Sequence, residues 1–260
     1  MEYQVYPYTE QTKGLGIGDD NIYSNGEYHV LHGFLQRDSV IFDVGASSGR
    51  WTQIALCIMV PKFIYCFEPV PDAFLAAYQL FALRNNVEVL NNIIGNECGK
   101  TAFYWYKNNP QLAEMSNLFG RPNVEAANSI EKEIIYVDGI TIDYFCKERK
   151  IKHIDYLKID VEGAEFRVID GAKEMMEKQT IDYIQFEYGG CFIDARTTLK
   201  ETVGLLKNNY ALFRIVPSGL LHMSEWIDEM ENYLHSNYLA ISTKIENRFP
   251  IMEFSEKDNE

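Results

Sequence analysis

Residues 40–51, VIFDVGASSGRW, constrain the fold more than any other part of the chain. The stretch opens on three apolar residues, Val40-Ile41-Phe42, and reaches an acid at Asp43. It then turns through Gly45-Ala46-Ser47-Ser48-Gly49 and enters a run, 51–59, that can be helical. Three apolar residues alone do not separate helix from strand. Strand, acid, glycine turn and helix in succession are the opening of a nucleotide-binding α/β fold. Two cofactor classes share it. Dinucleotide sites carry G-x-G-x-x-G, which brings backbone amides against a pyrophosphate at a helix N-terminus. Here the spacing is D-x-G-x-x-x-G. A carboxylate ahead of the first glycine repels a pyrophosphate. It suits a ligand with a positive ammonium, such as the methionine moiety of S-adenosylmethionine, and the glycines let that moiety lie against the backbone. A Rossmann-like turn with no cofactor is the plain alternative.

The rest of the chain repeats the alternation. A helix is expected over 25–35, strand one over 40–42, and a crossover helix to about 59, ended by Pro61. Strand two follows at 62–67, a helix at 73–84 and strand three at 87–90. Strands at 101–106 and 133–137 flank a polar segment, 107–132, which is long for a connection and reads as a flap over the site. A helix at 142–150, strand four at 156–161, a helix at 165–177, strand five at 181–186 and a helix at 197–207 continue the pattern. The last strands are expected at 211–216 and 238–244, with a helix at 224–234 between them and Ser224 as its N-cap. Such alternation predicts a mostly parallel sheet with both faces covered. Residues 1–37 read as an arm and helix, 38–246 as the main domain and 247–260 as an acidic tail.

The net charge of −14 leaves no basic surplus for a nucleic-acid backbone or an anionic lipid surface. No apolar run reaches membrane-spanning length, and the first residues lack the pattern of a secretory leader. Five cysteines without C-x-x-C spacing read as reduced thiols, hence a cytoplasmic protein without a cysteine zinc site. The tyrosine-rich arm could dock on a neighbouring copy.

Four expected parallel strands each end in an acid: Asp43, Glu68, Asp160 and Glu187. In open α/β sheets ligands bind outside these carboxyl ends, at the switch point. Glu68 can accept hydrogen bonds from both hydroxyls of a ribose. Asp160 belongs to the centre of the sheet, with Glu162 in the following turn and Lys158 on its own strand face, where it can neutralise the acid. Asp160, Glu162 and Glu165 could equally serve the positive end of the helix that follows.

The segments FDVGASSG, FEPVP, VDGITID, LKIDVEGAE and IQFE, in this order and spacing, resemble the FkbM-type family of S-adenosylmethionine-dependent methyltransferases over about 38–216. The resemblance implies a Rossmann-like class I methyltransferase fold, with seven strands, mostly parallel, and the last antiparallel. It implies O-methylation of a hydroxyl on a sugar, glycan or other small molecule. By the same resemblance Asp43, Gly45, Ala46, Ser47, Gly49, Trp51, Thr52, Glu68, Pro69, Asn92 and Asp160 are the candidate cofactor contacts, with Asp43 and Gly45 at the methionine end. A general base for the acceptor hydroxyl is expected among Asp160, Glu162, Glu187 and His222, with His29 and His32 less well sited. Asp160, Glu162 and Glu187 could instead hold Mg²⁺. Tyr104, Trp105, Tyr106 and Tyr188 could stack on a sugar or belong to the core. An NAD-dependent enzyme and a non-enzymatic nucleotide-binding module are the competing readings.

Overall fold

In a computed structural model of the chain, the described residues are 4–7, 15–107, 115–122, 125–126 and 132–245. The tail 247–260 lies outside them. In chain order the elements are β1 (Gln4–Pro7), α1 (Glu27–Phe34), β2 (Val40–Val44), α2 (Arg50–Ile58), β3 (Phe63–Phe67), α3 (Pro71–Phe81), β4 (Val87–Leu90), β5 (Ile93–Ile94), β6 (Gly99–Trp105) and β7 (Glu133–Ile140). They continue with α4 (Ile142–Arg149), β8 (Ile154–Ile159), α5 (Glu165–Asp170), α6 (Lys173–Glu177), β9 (Ile181–Tyr188), α7 (Cys191–Ala195), α8 (Leu199–Leu206), β10 (Tyr210–Val216), β11 (Gly219–His222) and β12 (Ser236–Ser242).

The expected α/β Rossmann-like architecture is present. The main sheet has nine strands in the order β1-β11-β10-β12-β9-β8-β2-β3-β4. From β4 to β9 the pairs are parallel, and β12 runs antiparallel to both β9 and β10. Those seven strands are the expected sheet; β11 and β1 extend its edge. The expected strands at 101–106 and 133–137 do not join it. They pair with each other as β6 and β7, and with β5 they form a separate three-stranded sheet.

Alternate residues of β2 serve two cores, because side chains alternate across a strand. Phe42 and Val44 pack on one face with residues of α4, α5, α6 and α8, and Ile41 packs on the other with residues of α1, α2 and α3. Each fully buried large side chain contributes about 2 kcal/mol. The chain leaves β2 for β3 and β4, then returns to β8 on the other side of β2. The switch point therefore falls at the C-terminal ends of β2 and β8.

Two expected helices change form. The run 165–177 breaks at Gly171 into α5 and α6, where a Cβ would lie 2.0 Å from the Gly95 carbonyl oxygen. Asp143, from α4, restarts the helix by accepting the Glu174 and Met175 amides at 2.8 and 3.0 Å. The helix expected over 224–234 does not form. Residues 219–222 are β11, and only a 3-10 turn, Asp228–Met230, follows. Tertiary bonds outweigh helix propensity there. The Glu231 carboxylate accepts the Tyr188 hydroxyl at 2.9 Å and the Leu199 and Lys200 amides at 3.0 and 3.1 Å, so it serves the positive end of α8.

Candidate active site

The C-terminal ends of β2, β3, β8 and β9 open into a cavity of about 710 Å³, within the range of small-molecule sites. Among the candidates from sequence, Gly45, Ala46, Ser47, Trp51, Glu68, Pro69, Asn92, Asp160, Glu162 and Glu187 line it. Asp43, Gly49, Thr52 and His222 do not.

The glycine turn is held over β3, with the Gly45 and Ala46 amides donating to the Phe67 carbonyl at 2.9 and 3.1 Å. Glu68 follows β3 and is 5% exposed. Its two oxygens accept the Ser47 and Val70 amides, each at 2.7 Å. Burial nevertheless pushes its pKa up to about 7. Asp43 lies beneath the turn, fully buried, where it accepts the Thr52 hydroxyl at 2.7 Å. Thr52 thus acts on Asp43 rather than on the cavity, and Gly49 packs against Phe81.

Lys158 is the buried cation of the site. Its Nζ lies 3.3 Å from Asp43 Oδ1, 3.3 Å from Asp160 Oδ2 and donates to the Gly45 carbonyl at 3.2 Å. Burial works against its charge, but Asp160 and Asp43 outweigh burial and raise its pKa. Burial works equally against the Asp160 carboxylate, and Lys158 with a hydrogen bond from Glu187 holds that pKa below the ordinary range. Glu187 goes the other way, raised well above its usual value by burial and by the Asp160 charge. The opposite shifts favour the proton on Glu187 and the charge on Asp160. Asp160 presents 40% of its side-chain surface and lines the cavity.

Sequence reasoning missed His235. It directly precedes β12, whose Ser236 pairs with Tyr188, so its ring reaches Glu187, with Nε2 3.3 Å from Oε1. Its carbonyl accepts the Gly18 amide at 2.9 Å, which ties the N-terminal arm to the site. Only that register could have singled it out. His222, favoured by its place after strand six, sits on β11 beside Phe213, outside the cavity. His29 approaches the Pro217 carbonyl and His32 the Tyr28 ring. Of the four aromatics, Trp105 lines the cavity. Tyr188 is fully buried on Glu231, and Tyr106 donates to Glu125 at 2.7 Å.

Of the flap segment 107–132, Lys107, Met115, Ser116, Leu118 and Arg121 line the cavity. Arg121 bridges Glu162 at 3.3 Å and Asp194 at 3.5 Å. The third acid of LKIDVEGAE has a local task. Glu165 is fully buried, accepts the Val161 and Gly163 amides at 3.0 and 2.9 Å, and is pushed up to about 8 by burial.

The Mg²⁺ expectation fails on geometry. Asp160, Glu162 and Glu187 do not bring three carboxylate oxygens within 4.8 Å of one another, and Arg121 neutralises Glu162. Among the described residues the group that close is His153, Asp155 and Asp182, at the opposite ends of β8 and β9. It reads as an ion-pair cluster: His153 Nε2 lies 3.1 Å from Asp182 Oδ2, and Asp155 accepts the Val40 amide at 2.7 Å. A hydrogen bond to Asp182 raises the His153 pKa. A raised histidine stabilises most below its unfolded value, about 6.5, and the gain disappears as pH rises through the folded value. Denaturant unfolding of wild type and His153→Gln should therefore differ at pH 5.5 and converge above pH 8. An equal difference at both values would remove His153 as the source.

Among the described residues, no helix is long and apolar enough to cross a membrane, and all five cysteines are free. Among known proteins, the chain is 26% identical over 155 residues to 2-O-methyltransferase NoeI of Sinorhizobium fredii, covering 57% of this chain and 63% of NoeI, less than two thirds of its length. It is 27% identical over 181 residues to Methyltransferase 1 of Beauveria bassiana, covering 63% of this chain and 71% of that one. Methyltransferase FkbM from Methylobacillus flagellatus shares the fold, with a TM-score of 0.50 at 14% identity over 80% of this chain and 45% of that chain. The family model of the methyltransferase FkbM domain matches residues 43–235, from the acid before the glycine turn to the histidine beside Glu187, and so extends past the stretch 38–216 over which the motifs show the resemblance. The chain therefore belongs to the FkbM methyltransferase family.

Proposed function

We propose that the protein is an S-adenosylmethionine-dependent O-methyltransferase whose acceptor is a hydroxyl of a sugar, glycan or other small molecule. One observation carries the reading: the cavity combines a buried two-oxygen acceptor, Glu68, with an ionised, cavity-facing carboxylate, Asp160. The methyltransferase fold implies the cofactor, and the donor set fits it. Glu68 suits a ribose diol, Asn92 and Ile93 flank the adjoining wall, and Gly45, Ala46, Ser47 and Ser48 of the glycine turn line the cavity. The relative named as a 2-O-methyltransferase favours oxygen as the acceptor atom.

When bound, S-adenosylmethionine supplies an electrophilic methyl group on a sulfonium. The protein's part is to hold the acceptor oxygen in line and take its proton. An acceptor hydroxyl undergoing methylation would become strongly acidic, so a carboxylate would be base enough. Asp160, kept ionised by Lys158, receives that proton, and Glu187 and His235 extend the path away from the reacting atoms. Phe103, Trp105 and Leu118 form an apolar wall against which a ring can lie.

Calorimetric titration of the full chain with S-adenosylhomocysteine, with NAD in parallel, tests the cofactor. Micromolar binding of the first and none of the second is expected. Because the ionised Glu68 is the better acceptor for a diol, affinity should rise with pH across about 6 to 8, around its pKa of about 7. Binding of NAD alone would sink the reading, and a pH-independent affinity would remove Glu68 from the ribose site.

A further inference from the structure

Glu27, the first residue of α1, is a carboxylate in the cavity wall without a cation of its own. Its Oε1 accepts N–H bonds from Asn25 Nδ2 at 2.7 Å and Asn237 Nδ2 at 3.1 Å, and its Oε2 accepts Gln185 Nε2 at 2.5 Å. The Tyr156 hydroxyl donates to Gln185 Oε1 at 2.5 Å and so fixes which end of that amide faces Glu27. Asn25 returns a bond, its Oδ1 accepting the Glu27 amide at 2.9 Å. Residues of β9, β12 and the segment just ahead of α1 thus converge on one side chain that is 8% exposed, with Tyr156 of β8 behind Gln185.

Serving the positive end of α1 does not explain this. The carboxylate accepts no amide of its own helix; its oxygens face the sheet. Nor is it half of an ion pair. Among the described residues no cationic nitrogen lies within 4 Å of it, and the nearby Lys158 is already held by Asp43, Asp160 and the Gly45 carbonyl. An ionised carboxylate offers about four lone-pair positions. Three neutral donors fill three of them and leave one on Oε2. Burial of a charge is costly unless it is paired, and burial pushes the Glu27 pKa up. A buried carboxylate in a cavity wall, bonded by neutral donors with one position open, is built to receive a cation.

We infer that Glu27 is the counter-charge for the α-ammonium at the methionine end of the cofactor, the role that the glycine-motif spacing assigns to Asp43. Asp43 is fully buried, bonded to Thr52, paired with Lys158 and absent from the cavity lining. The inference rests on the proposed cofactor, and it makes the N-terminal arm and helix a part of the cofactor site.

The test is calorimetric, on the full chain, with two ligands: S-adenosylhomocysteine and its deaminated analogue, which keeps the carboxylate and lacks the ammonium. Wild type should prefer the first by about 10- to 100-fold, as for a charge-assisted hydrogen bond. Glu27→Gln should lose that preference while binding the deaminated ligand as wild type does, which also reports that the variant is folded. Glu27→Asp, which keeps the charge, should retain part of the preference. Equal weakening of both ligands in Glu27→Gln, or no preference in wild type, overturns the inference. Failure of wild type to bind either ligand is a different result, and it removes the cofactor reading itself.

Discussion

Asp160→Asn is expected to lower kcat for methyl transfer by about 10²–10⁴-fold, the usual worth of a positioned general base, with S-adenosylhomocysteine affinity changed only a few-fold. The substitution keeps the shape of the side chain and removes its charge. The acceptor proton then loses the carboxylate that Lys158 holds below its ordinary pKa. Lys158 loses one of its two carboxylate partners and keeps Asp43 at 3.3 Å, so the floor of the site stays paired. The variant also reports on Glu187. The Asp160 charge helps to raise the Glu187 pKa, so removing it lowers that pKa and leaves Glu187 ionised over more of the pH range. Part of the lost rate should return as pH rises and Glu187 ionises. Steady-state rates from pH 5.5 to 9, beside calorimetric affinities, decide it. A kcat within threefold of wild type across that range would remove Asp160 as the base.

Gly45→Ala should be the most damaging single methyl group in the protein, expected to cost about 4 kcal/mol or more. Gly45 has φ +78, and a Cβ there would lie 1.7 Å from the Asp160 carbonyl oxygen and 2.7 Å from its carbon. Both are backbone atoms at the centre of the sheet, so no flexible side chain can swing aside. The turn after β2 and the strand end of β8 would have to separate. That motion strains the Asp160 amide bond to the Val44 carbonyl at 2.9 Å and the Lys158 bond to Gly45 at 3.2 Å. Gly204→Ala is the control. It lies inside α8 with nothing within 4 Å of the new Cβ, and should be neutral or stabilising by about 0.5–1 kcal/mol. Urea unfolding midpoints of the two variants measure the contrast. A loss under 1 kcal/mol at Gly45 would mean that the two segments are not in close contact.

The sequence by itself determined the strand–turn–helix alternation, the seven strands of the central sheet and the residues at their C-terminal ends. Those features are local. A glycine turn, an apolar run and a strand-end acid declare themselves within a few residues, and parallel pairing then brings Glu68, Asp160 and Glu187 to one cavity. Tertiary structure decided how the acids differ. Asp43 and Asp160 share Lys158 and its sheet face, yet one is sealed under the turn and the other opens to the cavity, because Asp43 lies level with Lys158 inside the sheet and Asp160 lies two residues further on, past the end of β8. Burial against the Asp160 charge is what separates Glu187 from Asp160 in pKa, and no motif encodes it. Glu27 and His235 entered the site only through packing, since α1 lays the first against β9 and β12, and the antiparallel register of β12 sets the second beside Glu187. The helix expected over 224–234 is absent for the same reason. Its Glu231 has partners on β9 and α8, distant in sequence, and long-range bonds outweighed the propensity of a short run.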